Sequence, residues 1–211
     1  MRSLWRIETE FMLLFVGLPL FAAWQGAVFR RWIVPEIWLL ALVCWMLFRR
    51  DQPIHWQARD RTWSWPELQR ILALFLVGAA GLLLWVLVAH PVEPFAFPRQ
   101  RPWLWGLVVV LYPFVSALAQ EFIFRVFLFH RYRDLWRSNL QRVLVSAAVF
   151  GWAHLMLGNW QAPVLSFAGG LLFAATYART GSWWLVTLEH GLWGDWLFTI
   201  GLGRYFYGGH A

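Results

Sequence analysis

Apolar residues run through this chain in blocks of about twenty, separated by short polar segments rich in arginine. A helix needs about 20 such residues, within roughly 17–25, to cross the ~30 Å hydrocarbon layer of a bilayer. The blocks that qualify are Phe11–Phe29, Trp32–Phe48, Ile71–His90, Trp103–Phe129, Leu140–Leu157, Trp160–Ala178 and Ser182–Gly203. The second is short and opens near Pro35-Glu36, so it reads as tilted or partly interfacial. The fourth is long and contains Tyr112-Pro113, where a missing N–H predicts a kink. Repeats and low-complexity segments are absent from the sequence. The pattern predicts an all-α, multi-pass transmembrane helical bundle of about seven spans, with residues 1–211 forming a single integral membrane domain.

Composition agrees. Of 211 residues, 60% are hydrophobic and 14% charged, too little charge to cover a soluble domain of this size. The 18 basic residues are all arginine, and the net charge is +7. Such a charge raises nucleic-acid binding, but the arginines sit in short loops between apolar blocks, where basic residues set membrane orientation. Topology and contact with lipid headgroups account for them, and no nucleic-acid partner is expected. With alternating spans and the N-terminus inside, inner segments hold Arg2, Arg6, Arg49, Arg50, Arg59, Arg61, Arg70, Arg131, Arg133, Arg137, Arg142 and Arg179. Outer segments hold only Arg30, Arg31, Arg99, Arg101 and Arg204. The bias predicts N-terminus in and C-terminus out. The 49–70 loop, with Trp56, Trp63 and Trp65, reads as a segment at the inner headgroup layer. The N-terminal segment reads as a retained first span, since Glu8 and Glu10 interrupt it and a small-residue cleavage site is missing. A bacterial inner membrane is the expected location.

Cys44 is the single cysteine, so an intrachain disulfide and multi-cysteine zinc sites are excluded. Gly78-Ala79-Ala80-Gly81 and Gly169-Gly170 mark close helix contacts.

Few ionisable groups remain inside the spans: Glu36 near an end, Glu121, Arg125, His154, Glu189, His190 and Asp195. Glu121 and Arg125, four residues apart, lie about 40° from each other on one helix face. At mid-bilayer each charge costs on the order of 3 kcal/mol or more, so an anchor alone would not carry them. At 1.5 Å per residue, Glu121 lies about 15 Å from Arg131, His154 about 18 Å from Arg142, and His190 about 16 Å from Arg179. Each measure starts at an inner-face arginine, so three helices bring polar groups to one depth. A lone intramembrane histidine is as often a helix–helix hydrogen-bond partner, and a Glu–Arg pair can simply neutralise itself. The shared depth favours one functional site.

Three chemistries use such groups. In peptide hydrolysis, Glu121 and His154 activate water and His190 stabilises the oxyanion. In metal hydrolysis, Glu121, His154 and His190 hold a divalent ion such as zinc. In proton-coupled transport, they form a relay. The His-Glu-x-x-His helix of the common zinc proteases is missing. Small size and the lack of repeats weigh against transport.

Three motifs carry a family resemblance. Gln120-Glu121-Phe122-Ile123-Phe124-Arg125 is similar to Glu-Glu-x-x-x-Arg, Phe150-Gly151-Trp152-Ala153-His154 to Phe-x-x-x-His, and His190-Gly191-Leu192-Trp193-Gly194 to His-x-x-x-Asn. In order and spacing, residues 103–203 resemble the CPBP intramembrane proteases, the group of the CAAX prenyl endopeptidase and the Abi-like proteins. The resemblance implies an endopeptidase that cuts a membrane-associated protein or peptide with a glutamate-activated water. It also implies water positioning by the motif-two histidine and an oxyanion hole from motif three. Gln120 departs from the pattern where the first Glu would stand, and Gly194 where the Asn would stand. Two readings follow. In one, catalysis persists, with Glu121 as base, Gln120 orienting water or substrate, and Asp195 an imperfect substitute. In the other, the fold is an inactive membrane scaffold or binding partner.

Overall fold

A computed structural model describes residues 4–51, 64–89, 91–136 and 138–207. Most of the loop read as interfacial, including Trp56 and Trp63, lies outside the described residues, as do Arg137 and His90. The described residues are helical, with no strand among them. In chain order the helices are α1 (Leu4–Gln25), α2 (Ala27–Arg31), α3 (Ile33–Asp51), α4 (Trp65–Ala89), α5 (Ala96–Gln100), α6 (Pro102–Arg131), α7 (Asn139–Ala153), α8 (Gln161–Thr180) and α9 (Trp183–Thr199). Seven of them fall on the predicted blocks. Four segments are both long and apolar enough to cross a membrane: Leu4–Gln25, Trp65–Ala89, Pro102–Arg131 and Asn139–Leu157, the last being α7 with its terminal turn. Large apolar side chains such as Leu76, Val77, Leu87 and Val88 on α4, and Trp103 and Val110 on α6, stay exposed, as a lipid-facing surface requires. The chain is an integral membrane helical bundle.

Helix ends follow local chemistry. Ser138 and Gln141 form a reciprocal capping box at the start of α7, and Ser182 accepts from the Leu185 N–H at the start of α9. The first block stops at Gln25 rather than Phe29, because Gly26 (φ +57°) breaks the helix.

α6 is the central element, and it is not a regular α-helix. Pro113 cannot donate, and a π turn spans Pro113–Ala117; a second spans Phe122–Phe127. The expected kink is thus taken up as a widened turn. Side chains of neighbouring helices reach the carbonyls along this stretch. Trp38 Nε1 of α3 donates to Val115 O (2.8 Å), Trp183 Nε1 of α9 to Leu118 O (3.0 Å), and Ser146 Oγ of α7 to Phe124 O (2.8 Å). In α1, Val16 lies in a third π turn, and its carbonyl accepts from Trp152 Nε1 of α7 (3.4 Å). Trp196 Nε1 likewise donates to Ala79 O of α4 (3.1 Å). Inside a membrane no water competes for these carbonyls, so the indoles staple one helix to the next. Four of the 18 tryptophans, Trp38, Trp152, Trp183 and Trp196, thus bond between helices.

Small residues mark some of the tight contacts. A Cβ on Gly170 would meet the Ala147 Cα at 3.0 Å, and one on Gly78 would meet the Trp193 ring at 2.4 Å. Gly81 faces open space, and Gly169 meets only the Phe173 ring of its own helix.

Polar contacts join helix ends that the arginine rule puts on one side. Arg131 Nε donates to Glu10 Oε1 (2.7 Å), and the Tyr132 hydroxyl donates to the same oxygen (2.9 Å). Arg179 NH2 pairs with Glu67 (2.7 Å). On the opposite side, Asn159 donates to Tyr205 O (2.9 Å) and the Phe95 N–H to Thr199 O (3.1 Å).

Candidate active site

The Glu121–Arg125 pair lies at the centre of the bundle, and both side chains are fully buried. Arg125 Nε is 3.1 Å from Glu121 Oε2. The guanidinium also lies over the rings of Phe150 (4.4 Å) and Phe173 (5.4 Å), and NH2 donates weakly to Gly170 O (3.4 Å). The close approach of α8 to α7 at Gly170 brings that carbonyl and Phe173 to the charge. Two aromatic faces and a carboxylate replace water around the cation.

The other carboxylate oxygen reaches α9. Glu121 Oε1 is 2.7 Å from His190 Nδ1. A carboxylate only accepts, so Nδ1 carries the proton. His190 Nε2 is 3.0 Å from the Tyr112 hydroxyl of α6, and the imidazole stacks on Phe173 with centroids 4.7 Å apart and planes 19° from parallel. His190 is therefore fixed on both edges and on one face. The depth estimate holds for this pair: two groups 69 residues apart in sequence are in contact.

His154 sits where α7 tightens into a 3-10 turn, His154–Leu157. Its backbone N–H turns to Gly151 O, which leaves Phe150 O for the side chain. Nδ1 lies 2.7 Å from that oxygen. A carbonyl only accepts, so Nδ1 is the protonated nitrogen and Nε2 keeps its lone pair. His154 and His190 both pack edge-on against the Phe150 ring, at 4.8 and 5.6 Å.

Two cavities meet at these residues. One, of about 250 Å³, is lined by Tyr112, Phe150, His154, Phe173, His190 and Gly194 among others. The second, of about 420 Å³, lies between α1, α3 and α6 and is almost wholly apolar; its polar lining comes from Glu36, Tyr112, Gln120 and His154. Tyr112, His154, Phe198 and Phe206 are common to both. Glu121 lines neither cavity.

The expected site residues separate accordingly. Glu121, Arg125, His190 and His154 come together around Phe150. Gln120 turns to the second cavity, with Nε2 donating to Ser116 Oγ (2.7 Å). Asp195 lines neither cavity, and its Oδ1 has no hydrogen-bond partner among the described residues. Glu189, next to His190, is buried and lines neither cavity. Sequence reasoning missed Tyr112, treating it only as the residue before a proline; its signal was a hydroxyl in the middle of an apolar block.

His190 has both nitrogens engaged, and no group of three His, Cys, Asp or Glu side chains among the described residues is placed to share an ion.

No curated protein and no solved structure gave a match. A family model did, over residues 101–194, and it describes the Rce1-like type II CAAX prenyl endopeptidases. The matched segment runs from the start of α6 to Gly194 in α9 and contains all three motifs. Residues 101–194, with Glu121, His154 and His190 among them, thus carry the pattern of the Rce1-like type II CAAX prenyl endopeptidase family, a group of membrane proteases, as the three motifs implied.

Proposed function

We propose that the chain is an intramembrane endopeptidase in which His154 takes the proton from the hydrolytic water and Glu121 positions His190. The observation that carries this reading is the cavity wall shared by His154 and Tyr112, beside His190. Phe150 O holds the His154 Nδ1–H, so Nε2 is the basic nitrogen available at that wall. Glu121 was the base expected from sequence. It is buried against Arg125 and His190 and faces no cavity, which supports a positioning role instead. Gln120 does face a cavity, and an amide there can orient water but not ionise.

The two cavities flank the shared wall, so a peptide bond held over Tyr112 and His154 would place an apolar side chain on either side. The substrate class that fits is an apolar stretch of a membrane-associated protein or peptide, reached from the lipid phase. A bacterial inner membrane remains the proposed location. The test is cleavage of an apolar peptide library by the purified full chain in lipid nanodiscs. The His154→Ala and Glu121→Gln variants should each abolish cleavage, His154→Ala with folding intact; equal cleavage by His154→Ala sinks the assignment.

Gln120, at the position of the family's first Glu, favours a second reading, a binding module without hydrolysis. That reading expects peptide binding in nanodiscs, no cleavage by the wild-type chain, and binding that survives His154→Ala.

A further inference from the structure

We propose that the Tyr112 hydroxyl is the group that donates to the oxyanion, with His190 and Glu121 acting on the substrate through it. The inference rests on the hydrolase reading above and deepens it by one residue. His190 was the expected oxyanion donor, yet both its ring nitrogens are already engaged, Nδ1 by Glu121 (2.7 Å) and Nε2 by Tyr112 (3.0 Å). It therefore offers the cavity no free N–H. Tyr112 does face the reaction space, since it lines both cavities.

Gly194 supplies an independent observation. A Cβ at this position would lie 2.1 Å from Tyr112 Cε1 and 2.7 Å from its hydroxyl oxygen. The phenol occupies the volume that any side chain at 194 would need. It is held edge-on against the rings of His190 (5.9 Å) and Phe198 (5.4 Å), so its hydroxyl is pre-positioned. The absence of a side chain at 194 and the presence of a phenol from α6 are thus one arrangement.

In the addition step, His154 Nε2 accepts a proton from water, the hydroxide oxygen bonds to the peptide carbonyl carbon, and the carbonyl π pair moves to oxygen. Tyr112 donates a hydrogen bond to that oxygen and transfers no proton. When His190 Nε2 donates to the phenol oxygen, the phenolic hydrogen is left to turn toward the cavity. When the tetrahedral species collapses, the C–N bond breaks and the proton on His154 passes to the leaving amine.

The experiment uses the full chain in nanodiscs and the best-cleaved member of the apolar peptide library. Tyr112→Phe should lower kcat about 100-fold, the scale of losing one oxyanion donor, with KM changed by less than about twofold. Gly194→Asn alone should be comparably impaired, because its side chain collides with Tyr112. The double variant Tyr112→Ala/Gly194→Asn should regain at least about tenfold over Tyr112→Ala, since removing the ring opens the space that an amide at 194 needs. An unchanged kcat in Tyr112→Phe, with His154→Ala still inactive, overturns this inference and leaves the hydrolase reading standing. A wild-type chain that cleaves no library member removes the hydrolase reading and this inference with it. If Tyr112→Phe does not fold, 3,5-difluorotyrosine at 112 keeps the shape and alters only the acidity of the hydroxyl; a kcat that does not move then overturns the proposal.

Discussion

Arg125→Met removes a charge while keeping the length and apolar body of the side chain. Glu121 is then left fully buried with His190 as its remaining polar partner among the described residues, and Phe150 and Phe173 lose the cation between them. Removing one partner of a buried ion pair costs about 3–5 kcal/mol, mostly from the stranded charge. The retained His190 contact puts the expectation near the lower end of that range. The double variant Arg125→Met/Glu121→Gln removes the stranded charge, so it should recover to within about 1–2 kcal/mol of wild type. The measurement is the unfolding free energy of the purified full chain, from reversible titration with a denaturing detergent followed by circular dichroism. Activity should follow a different order, because the amide introduced by Glu121→Gln gives His190 Nδ1 a neutral acceptor in place of a carboxylate. The double variant should therefore be stable and inactive. A single variant that costs under about 1 kcal/mol, or a double variant no more stable than the single, refutes the reasoning.

Gly170→Ala should destabilise by about 1–3 kcal/mol in the same titration, because its Cβ would press on the α7 backbone at Ala147, while Gly81→Ala, with nothing near its Cβ, should be neutral. Trp38→Phe should cost about 0.5–1.5 kcal/mol by removing the indole's hydrogen bond to the Val115 carbonyl, and should increase hydrogen exchange near Pro113. Gln120→Glu puts a titratable oxygen at the second cavity and should raise kcat about tenfold or more; an unchanged rate would show that position 120 does not meet the water. A chelator should leave cleavage unchanged, and loss of activity restored by zinc would refute the reading of the donor set.

The helices were legible because lipid imposes a length and an apolar composition that a sequence displays directly. The Glu121–His190 contact was legible as a matter of depth, since counting residues from boundary arginines fixes height along a helix. Direction around the helix was not, because π turns in α6 change the angular step between residues and leave no mark in composition. That is why Gln120 and Glu121, neighbours in sequence, could not be assigned to a cavity and to a buried pair. Tyr112 escaped for a related reason. Its role depends on Gly194, 82 positions later, leaving a space of the right shape.

The surroundings of Arg125 also carry a history. The chain is made from its N-terminus, so α6 leaves the ribosome before Phe150, Gly170, Phe173 and His190 exist. At that moment Glu121 and Arg125 have only each other. Their four-residue spacing lets the helix enter the bilayer as a nearly neutral rod, sparing it much of the roughly 3 kcal/mol per charge that insertion would otherwise cost. The later helices then complete a shell around a pair that had already neutralised itself. The spacing serves biogenesis first, and the site is assembled on top of it.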